Sequence, residues 1–167
     1  MSVPLKELLL SDLEQELTTT RRVLERVPDD RLDWKPHEKS VAFGGLALHC
    51  ANLLRWQVAI LELDDYDIAT APRLDPPKSQ EDILFLFDRL RHELVVTIEK
   101  LDEQAFLREW TLRFGDRVIA SFPKFAAMRT FGLSHMIHHR GQLTVYLRLL
   151  DLPVPATYGP SADEGSL

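Results

Sequence analysis

The sequence predicts an all-α fold, specifically a four-helix bundle with a long connection before the last helix. Three observations lead to this prediction. Apolar residues recur at spacings of three and four in four separate segments, which is the periodicity of amphipathic helices. Proline- and glycine-containing stretches separate these segments. Each predicted helix has one apolar face, and a bundle is the economical way to bury four such faces together.

The first two helices are bounded by clear sequence signals. Leucines and valines at helical spacing predict the first helix from Leu5 to about Val27, and Pro28 ends it. Ser40 is a suitable N-cap for a second helix from Val41 to Leu63. Gly44 and Gly45 lower the helix propensity of its first turns, which suggests that another element approaches closely there.

The third helix follows a long loop. The segment from Tyr66 to Lys78 contains three prolines and is predicted to lack regular structure. Ser79 then begins a strong helix-start signal, because three acidic or amide side chains follow it in the first turn. The apolar periodicity continues to about Lys100.

The connection before the last helix is the least regular part of the chain. It runs from Asp102 to Pro123, and Gly115-Asp116 within it is a moderate turn signal that allows a small hairpin. Proline is well suited to the first position of a helix, so the fourth helix is predicted from Pro123 to about Leu150.

Length, composition and charge restrict the possible functions. The 167 residues correspond to one domain, residues 1–167, with 45% hydrophobic residues and a formal charge of −6. The acidic balance argues against nucleic-acid binding, and no apolar run is long enough to span a membrane. The N-terminus is not typical of a signal peptide, and the single cysteine, Cys50, suits a reducing compartment. We therefore expect a cytoplasmic protein whose partner is a small-molecule substrate.

Three of the six histidines cluster in the predicted fourth helix, at positions 135, 138 and 139. Residues four apart lie on the same face of a helix, so His135 and His139 can bind one metal ion. His138 lies three residues after His135 and is also geometrically possible, so the spacing leaves two candidates for the second ligand. Neutral imidazole suits zinc, nickel, copper and iron.

His49 is the candidate third ligand. It lies among leucine and alanine residues in the middle of the predicted second helix, where an unpaired imidazole would be costly. One interpretation is a hydrogen-bonded core histidine, and the other is a metal ligand that faces the fourth helix. Three histidine ligands would leave open coordination positions, as in catalytic metal sites. Cys50 points about 100° away from its neighbour and is interpreted as a small core residue.

These residues together resemble the DinB-like superfamily. The resemblance is carried by the segment His135-Met136-Ile137-His138-His139-Arg140-Gly141-Gln142-Leu143 and by the Leu48-His49 helix with Trp34-Lys35-Pro36 and Ser40 before it. The tail from Tyr158 to Glu164 is similar as well. The resemblance implies a four-helix bundle, a homodimer, and a metal held by His49, His135 and His139, with His138 as a neighbour. Related proteins include thiol transferases dependent on bacillithiol or mycothiol and a mycothiol-dependent isomerase.

Three functional hypotheses follow. The first is a metal-dependent thiol S-transferase that acts on small electrophiles. Its metal would be zinc or nickel, and a low-molecular-weight thiol would be a further cofactor. A metal-dependent hydrolase is a variant of this hypothesis. The second is a non-catalytic metal-binding helical bundle. The third is a metal-free interaction protein whose histidines belong to the core. Gln142 is a candidate for orienting a ligand or for bridging helices.

Overall fold

The computed structural model describes residues 3–165 and is mostly helical. Three long helices precede a composite last helix. The single helices are α1 (Leu5–Leu24), α2 (Phe43–Glu62) and α3 (Gln80–Lys100). The composite helix consists of α4 (Lys124–Ala127), a π-helical segment (Met128–Ser134) and α5 (His135–Leu149). None of the helices described here is both long and apolar enough to cross a membrane.

The four long helical runs pack side by side around one core. Helix α2 packs against both α3 and α5, and α1 contacts the same two helices from the other side. The apolar residues of α2 are buried along most of its length, which makes α2 the most enclosed helix of the four. The helices predicted from periodicity are therefore confirmed, with ends that differ by up to three residues.

A small three-stranded sheet corrects the strictly all-α prediction. Its strands are β1 (Asp65–Asp67), β2 (Glu109–Phe114) and β3 (Arg117–Pro123), in the order β1-β2-β3. The antiparallel pair of β2 and β3 is the hairpin that Gly115-Asp116 allowed, and Gly115 has a φ of +57° in its turn. The parallel strand β1 begins the proline-rich segment that was predicted as a loop.

The start of α2 differs from the prediction. Ser40 is not its N-cap: the cap position is Ala42, which offers no side-chain hydrogen bond. Backbone carbonyls of the preceding connector take this role, because Trp34 accepts from the Phe43 N–H and Leu32 accepts from the Gly44 N–H, both at 2.9 Å. A Cβ at Gly44 would lie 2.9 Å from Leu32 Cδ2, so this glycine permits the close approach that was predicted. In contrast, the helix start predicted at Ser79 is confirmed, and Ser79 is the N-cap of α3, since its Oγ accepts from the Asp82 N–H at 3.1 Å.

The composite helix also differs from the predicted one. Pro123 ends β3 and does not begin a helical turn, and a π-helical segment interrupts the α-helix directly before His135. Gly132 in this segment lies against the fully buried side chain of Gln57 from α2. A Cβ at Gly132 would be 2.3 Å from Gln57 Cγ, so only glycine allows the two helices to approach this closely.

A buried arginine anchors α5 on the side of α1. Arg140, with 2% of its side chain exposed, pairs with the Glu16 carboxylate at 2.7 Å and donates to the Thr20 hydroxyl at 3.3 Å. Arg140 also donates to the Tyr158 hydroxyl at 2.6 Å, and this contact holds the C-terminal segment against α5. Because Arg140 directly follows His139 in the chain, the contacts of Arg140 fix the position of α5 where its histidines lie.

Candidate metal centre

Helices α2 and α5 bring three imidazole rings together. His49 comes from α2, and His135 and His139 come from successive turns of α5. The ring centroids are 5.3 Å apart for His49 and His135, 4.7 Å for His49 and His139, and 4.6 Å for the pair on α5. One nitrogen from each ring lies within 4.8 Å of the other two. In a tetrahedral zinc site the ligand nitrogens are about 3.3 Å apart, so small side-chain rotations bring the three onto one ion.

The ionisation of these rings favours metal binding. Burial, together with the nearby His139 and His135, lowers the pKa of His49 to about 4. Burial, with His139 close by, also lowers the pKa of His135. Both rings are therefore neutral at pH 7, which is the form that donates a lone pair to a metal. An all-imidazole donor set fits the borderline divalent transition metals.

Gln142 holds one of the three rings in a defined orientation. Its Oε1 lies 2.7 Å from Nδ1 of His139. When Nδ1 donates this hydrogen bond, the lone pair of the ring is on Nε2, which is then the atom available to a metal. The interaction places Gln142 behind the ring, where a supporting residue of a metal ligand is expected.

His138 does not belong to this group. Its side chain is exposed, and its ring lies edge-to-face with that of His139 at a centroid distance of 5.0 Å. The structure therefore answers the question that spacing left open, since His139 and not His138 faces His49. Cys50 is fully buried in the core as predicted, its Sγ lies 3.7 Å from the Met136 carbonyl, and burial raises the pKa of its thiol to about 12.

A pocket opens beside His49. It has a volume of about 530 Å³, and three elements form its wall: the first turns of α2, the connector around Leu32 and the proline-rich loop of residues 72–77. Asn52 lies one turn after His49 in this wall, and its Oδ1 is buried without a hydrogen-bond partner among the described residues. Asp33 and Arg73 are its charged members. The sequence analysis missed these three residues, although the spacing of three between His49 and Asn52 is a signal that they share a helix face.

Comparison with known proteins agrees with this architecture. The model of the DinB family matches residues 1–166. The chain belongs to the DinB family. An uncharacterized protein, YrdA of Bacillus subtilis, is 24% identical to this DinB protein over 161 residues, which cover 93% of this chain and 89% of YrdA.

Two solved structures share the fold. A DinB-like protein from Bacillus subtilis, YjoA, has a TM-score of 0.70 at 20% identity over 88% of this chain and 94% of its own. A DinB-like protein from Bacillus cereus has a TM-score of 0.71 at 20% identity over 95% of this chain and 100% of its own. The likeness establishes a DinB-like fold for this chain.

Proposed function

We propose that this DinB protein is a metal-dependent S-transferase that joins a low-molecular-weight thiol to a small electrophile. His49, His135 and His139 would hold a divalent transition ion, with zinc and nickel as the first candidates. The observation that carries the proposal is the convergence of three imidazoles, two of them held neutral by burial, one of which, His49, lines a pocket of about 530 Å³. A purely structural zinc site has four protein ligands, whereas the described residues supply three here.

The protein's own residues would perform distinct tasks. The ion, when bound, lowers the pKa of a thiol or water that reaches it. Gln142 keeps the His139 ring in one orientation, and the pocket wall holds the substrate and restricts water. In the transfer, the thiol proton passes to solvent, the sulfur forms a bond to the electrophilic carbon, and the leaving group departs with the bonding electrons.

Two alternatives use the same site. A hydrolase would activate water in place of a thiol, and a non-catalytic protein would bind the ion only to stabilise the bundle. The open pocket favours a ligand-binding role over a purely stabilising one. The homodimer and the cytoplasmic location stay predictions, and gel filtration with light scattering tests the first of them.

The test combines metal content with turnover. Metal-free protein is reconstituted with zinc or nickel and incubated with monochlorobimane and cysteine, bacillithiol or mycothiol, while the fluorescent thioether is recorded. We expect His135→Ala to lose the bound metal and the activity. His138→Ala is the matched control, since His138 lies on the same helix outside the cluster, and it should keep both.

The outcomes separate the hypotheses. The transferase proposal is contradicted if the metal-loaded wild-type protein forms the thioether no faster than His135→Ala does. If the metal then raises the melting temperature strongly without any turnover, the stabilising role is supported. A metal content unchanged in His49→Ala, His135→Ala and His139→Ala would refute the metal centre itself.

A further inference from the structure

The proline-rich loop of residues 72–77 forms one side of the pocket beside His49. All of its residues except Asp75 line the pocket, and Leu32 and Leu48 line it from the connector and from α2. A small molecule that approaches His49 through this pocket passes the loop. The position of the loop therefore determines how wide the entrance is.

Hydrogen bonds fix the chain on both sides of the loop. Before it, the Asp67 carboxylate accepts from the N–H groups of Ala69 and Gly115, both at 2.9 Å, which ties β1 to the hairpin of β2 and β3. After it, the Gln80 side chain donates to two backbone carbonyls directly after α1, at 2.7 and 2.8 Å. These contacts keep the two ends of the loop in place when the segment between them moves.

Between its fixed ends the loop is held by packing alone. The hydrogen bonds of the described chain stop at Ala71 and resume at Lys78, and none involves the six residues between them. Leu74 is half-buried and packs against the hydrophobic core. It is the only large aliphatic side chain of the loop. A segment with one apolar anchor and no hydrogen bonds opens at low cost, without unfolding of the rest of the protein.

Three prolines stiffen the loop. They occupy positions 72, 76 and 77 and flank the segment Arg73-Leu74-Asp75. The proline ring fixes its own φ, so the backbone of the loop has few conformations available. A stiff segment with fixed ends swings as one unit, and Leu74 leaves or enters its packed position in the same movement.

We propose that residues 72–77 form a hinged lid over the pocket beside His49 and that Leu74 is its latch. With Leu74 packed, as in this structure, the lid narrows the entrance to the pocket. When Leu74 withdraws, the loop swings outward and larger molecules reach the pocket wall. The lid goes beyond the proposed transfer reaction, because it concerns access to the pocket and holds for any occupant.

Thiol labelling of the whole metal-free protein measures access to the pocket. Gly45 lines the pocket, and a Cβ there would be in ordinary contact with Val41 at 3.4 Å, so Gly45→Cys fits. The native Cys50 is fully buried and does not compete for the reagent. Labelling rates are measured with N-ethylmaleimide and with a polyethylene-glycol maleimide. Gly141→Cys is the matched control, because Gly141 is exposed and no heavy atom lies within 4 Å of its added Cβ.

We expect the lid to discriminate against the large reagent. The rate of the polyethylene-glycol maleimide relative to N-ethylmaleimide should be lower for Gly45→Cys than for Gly141→Cys. Adding Leu74→Ala should raise this ratio for Gly45→Cys by about fivefold, the change in an equilibrium expected when part of a half-buried leucine side chain is lost. Leu74→Met retains the apolar volume and should leave the ratio unchanged. Asp75→Ala is the matched control in the same loop, since Asp75 is exposed and does not line the pocket.

Limited trypsin digestion follows the loop itself. Trypsin cleaves after Arg73 when the loop is open, whereas the bond after Arg89 lies within α3 and requires unfolding of that helix. Leucine follows both arginines, so the two bonds are chemically matched. We expect faster cleavage after Arg73 than after Arg89, and about fivefold acceleration of the former in Leu74→Ala. Each rate is divided by that of a peptide of residues 68–80 with the same substitution, which removes any preference of trypsin for the new residue.

Three results would overturn the lid. The first is a labelling ratio for Gly45→Cys as high as that for Gly141→Cys in the protein with Leu74 present. The second is an equal effect of Leu74→Ala and Asp75→Ala on access to the pocket. The third is cleavage after Arg73 no faster than cleavage after Arg89. Because these measurements use neither metal nor an electrophilic substrate, such results leave the transferase assay unaffected.

Discussion

Replacing Gly132 by alanine tests the close contact between α2 and the π-helical segment. The new Cβ would lie 2.3 Å from Gln57 Cγ and 2.7 Å from Cδ. Carbon atoms in contact are about 3.5–4.0 Å apart, so a shift of more than 1 Å is needed. Overpacking of a core costs about 1–3 kcal/mol, and the higher helix propensity of alanine returns up to about 1 kcal/mol. We expect a net loss of about 1–2 kcal/mol in the free energy of unfolding.

A double-mutant cycle measured by urea denaturation isolates this contact. In a Gln57→Ala background Cγ is absent, so Gly132→Ala should become neutral or stabilising, with a coupling energy of about 1–3 kcal/mol. Gly141→Ala is the matched control, because no heavy atom lies within 4 Å of its added Cβ, and it should stabilise the helix by up to about 1 kcal/mol. The reasoning is refuted if Gly132→Ala is as stable as the wild type, or if it costs the same in both backgrounds.

Three further predictions concern the anchor of α5, the histidine cluster and a helix cap. Arg140→Met leaves the Glu16 carboxylate without its buried partner and should lower the free energy of unfolding by about 3 kcal/mol in urea titrations; a change below 1 kcal/mol would contradict the anchoring role. In metal-free protein, the folded-state pKa of His49 is about 4 against about 6.5 when unfolded, so the unfolded state takes up a proton first as the pH falls. The melting temperature should therefore fall as the pH is lowered from 6.5 to 4, and it should fall less steeply in His49→Gln. If the melting temperature depends on pH equally in both proteins, protonation of His49 is not the cause. Ser79→Ala removes the N-cap of α3 and should cost about 1 kcal/mol, measurable as a lower urea midpoint, and Ser79→Asp should retain most of the stability.

The helices were predictable because their signals are local. Apolar spacing and a capping serine determine α3 within its own residues, and the structure follows both. The cap of α2 was not predictable in this way, because carbonyls of Leu32 and Trp34 replace a side chain and become available only after the connector has folded back. Strand β1 has three residues, and its partner β2 lies more than forty residues away, so no local pattern indicates their pairing.

The candidate site was likewise predictable only where its signals are local. Spacing identified His135 with either His138 or His139, and the choice depends on which face of α5 is turned toward α2. The pocket residues Asn52 and Arg73 belong to a helix and a loop whose proximity is a tertiary property. Histidines at metal-ligand spacing are thus visible in a sequence, whereas the residues that line a pocket are identified only once the chain has folded.

The rotation of α5 links the core contact to the histidine cluster. Each residue of an α-helix turns the chain by about 100°, so a π-helical segment, which holds extra residues per turn, changes the direction of every side chain that follows it. This segment ends directly at His135, and Gln57 packs against it at Gly132. An uninterrupted α-helix through residues 128–134 would turn His135 and His139 relative to the upstream packing face and away from His49. Residues that never touch a metal therefore decide whether the three rings converge, and Gly132→Ala should weaken metal binding as well as folding.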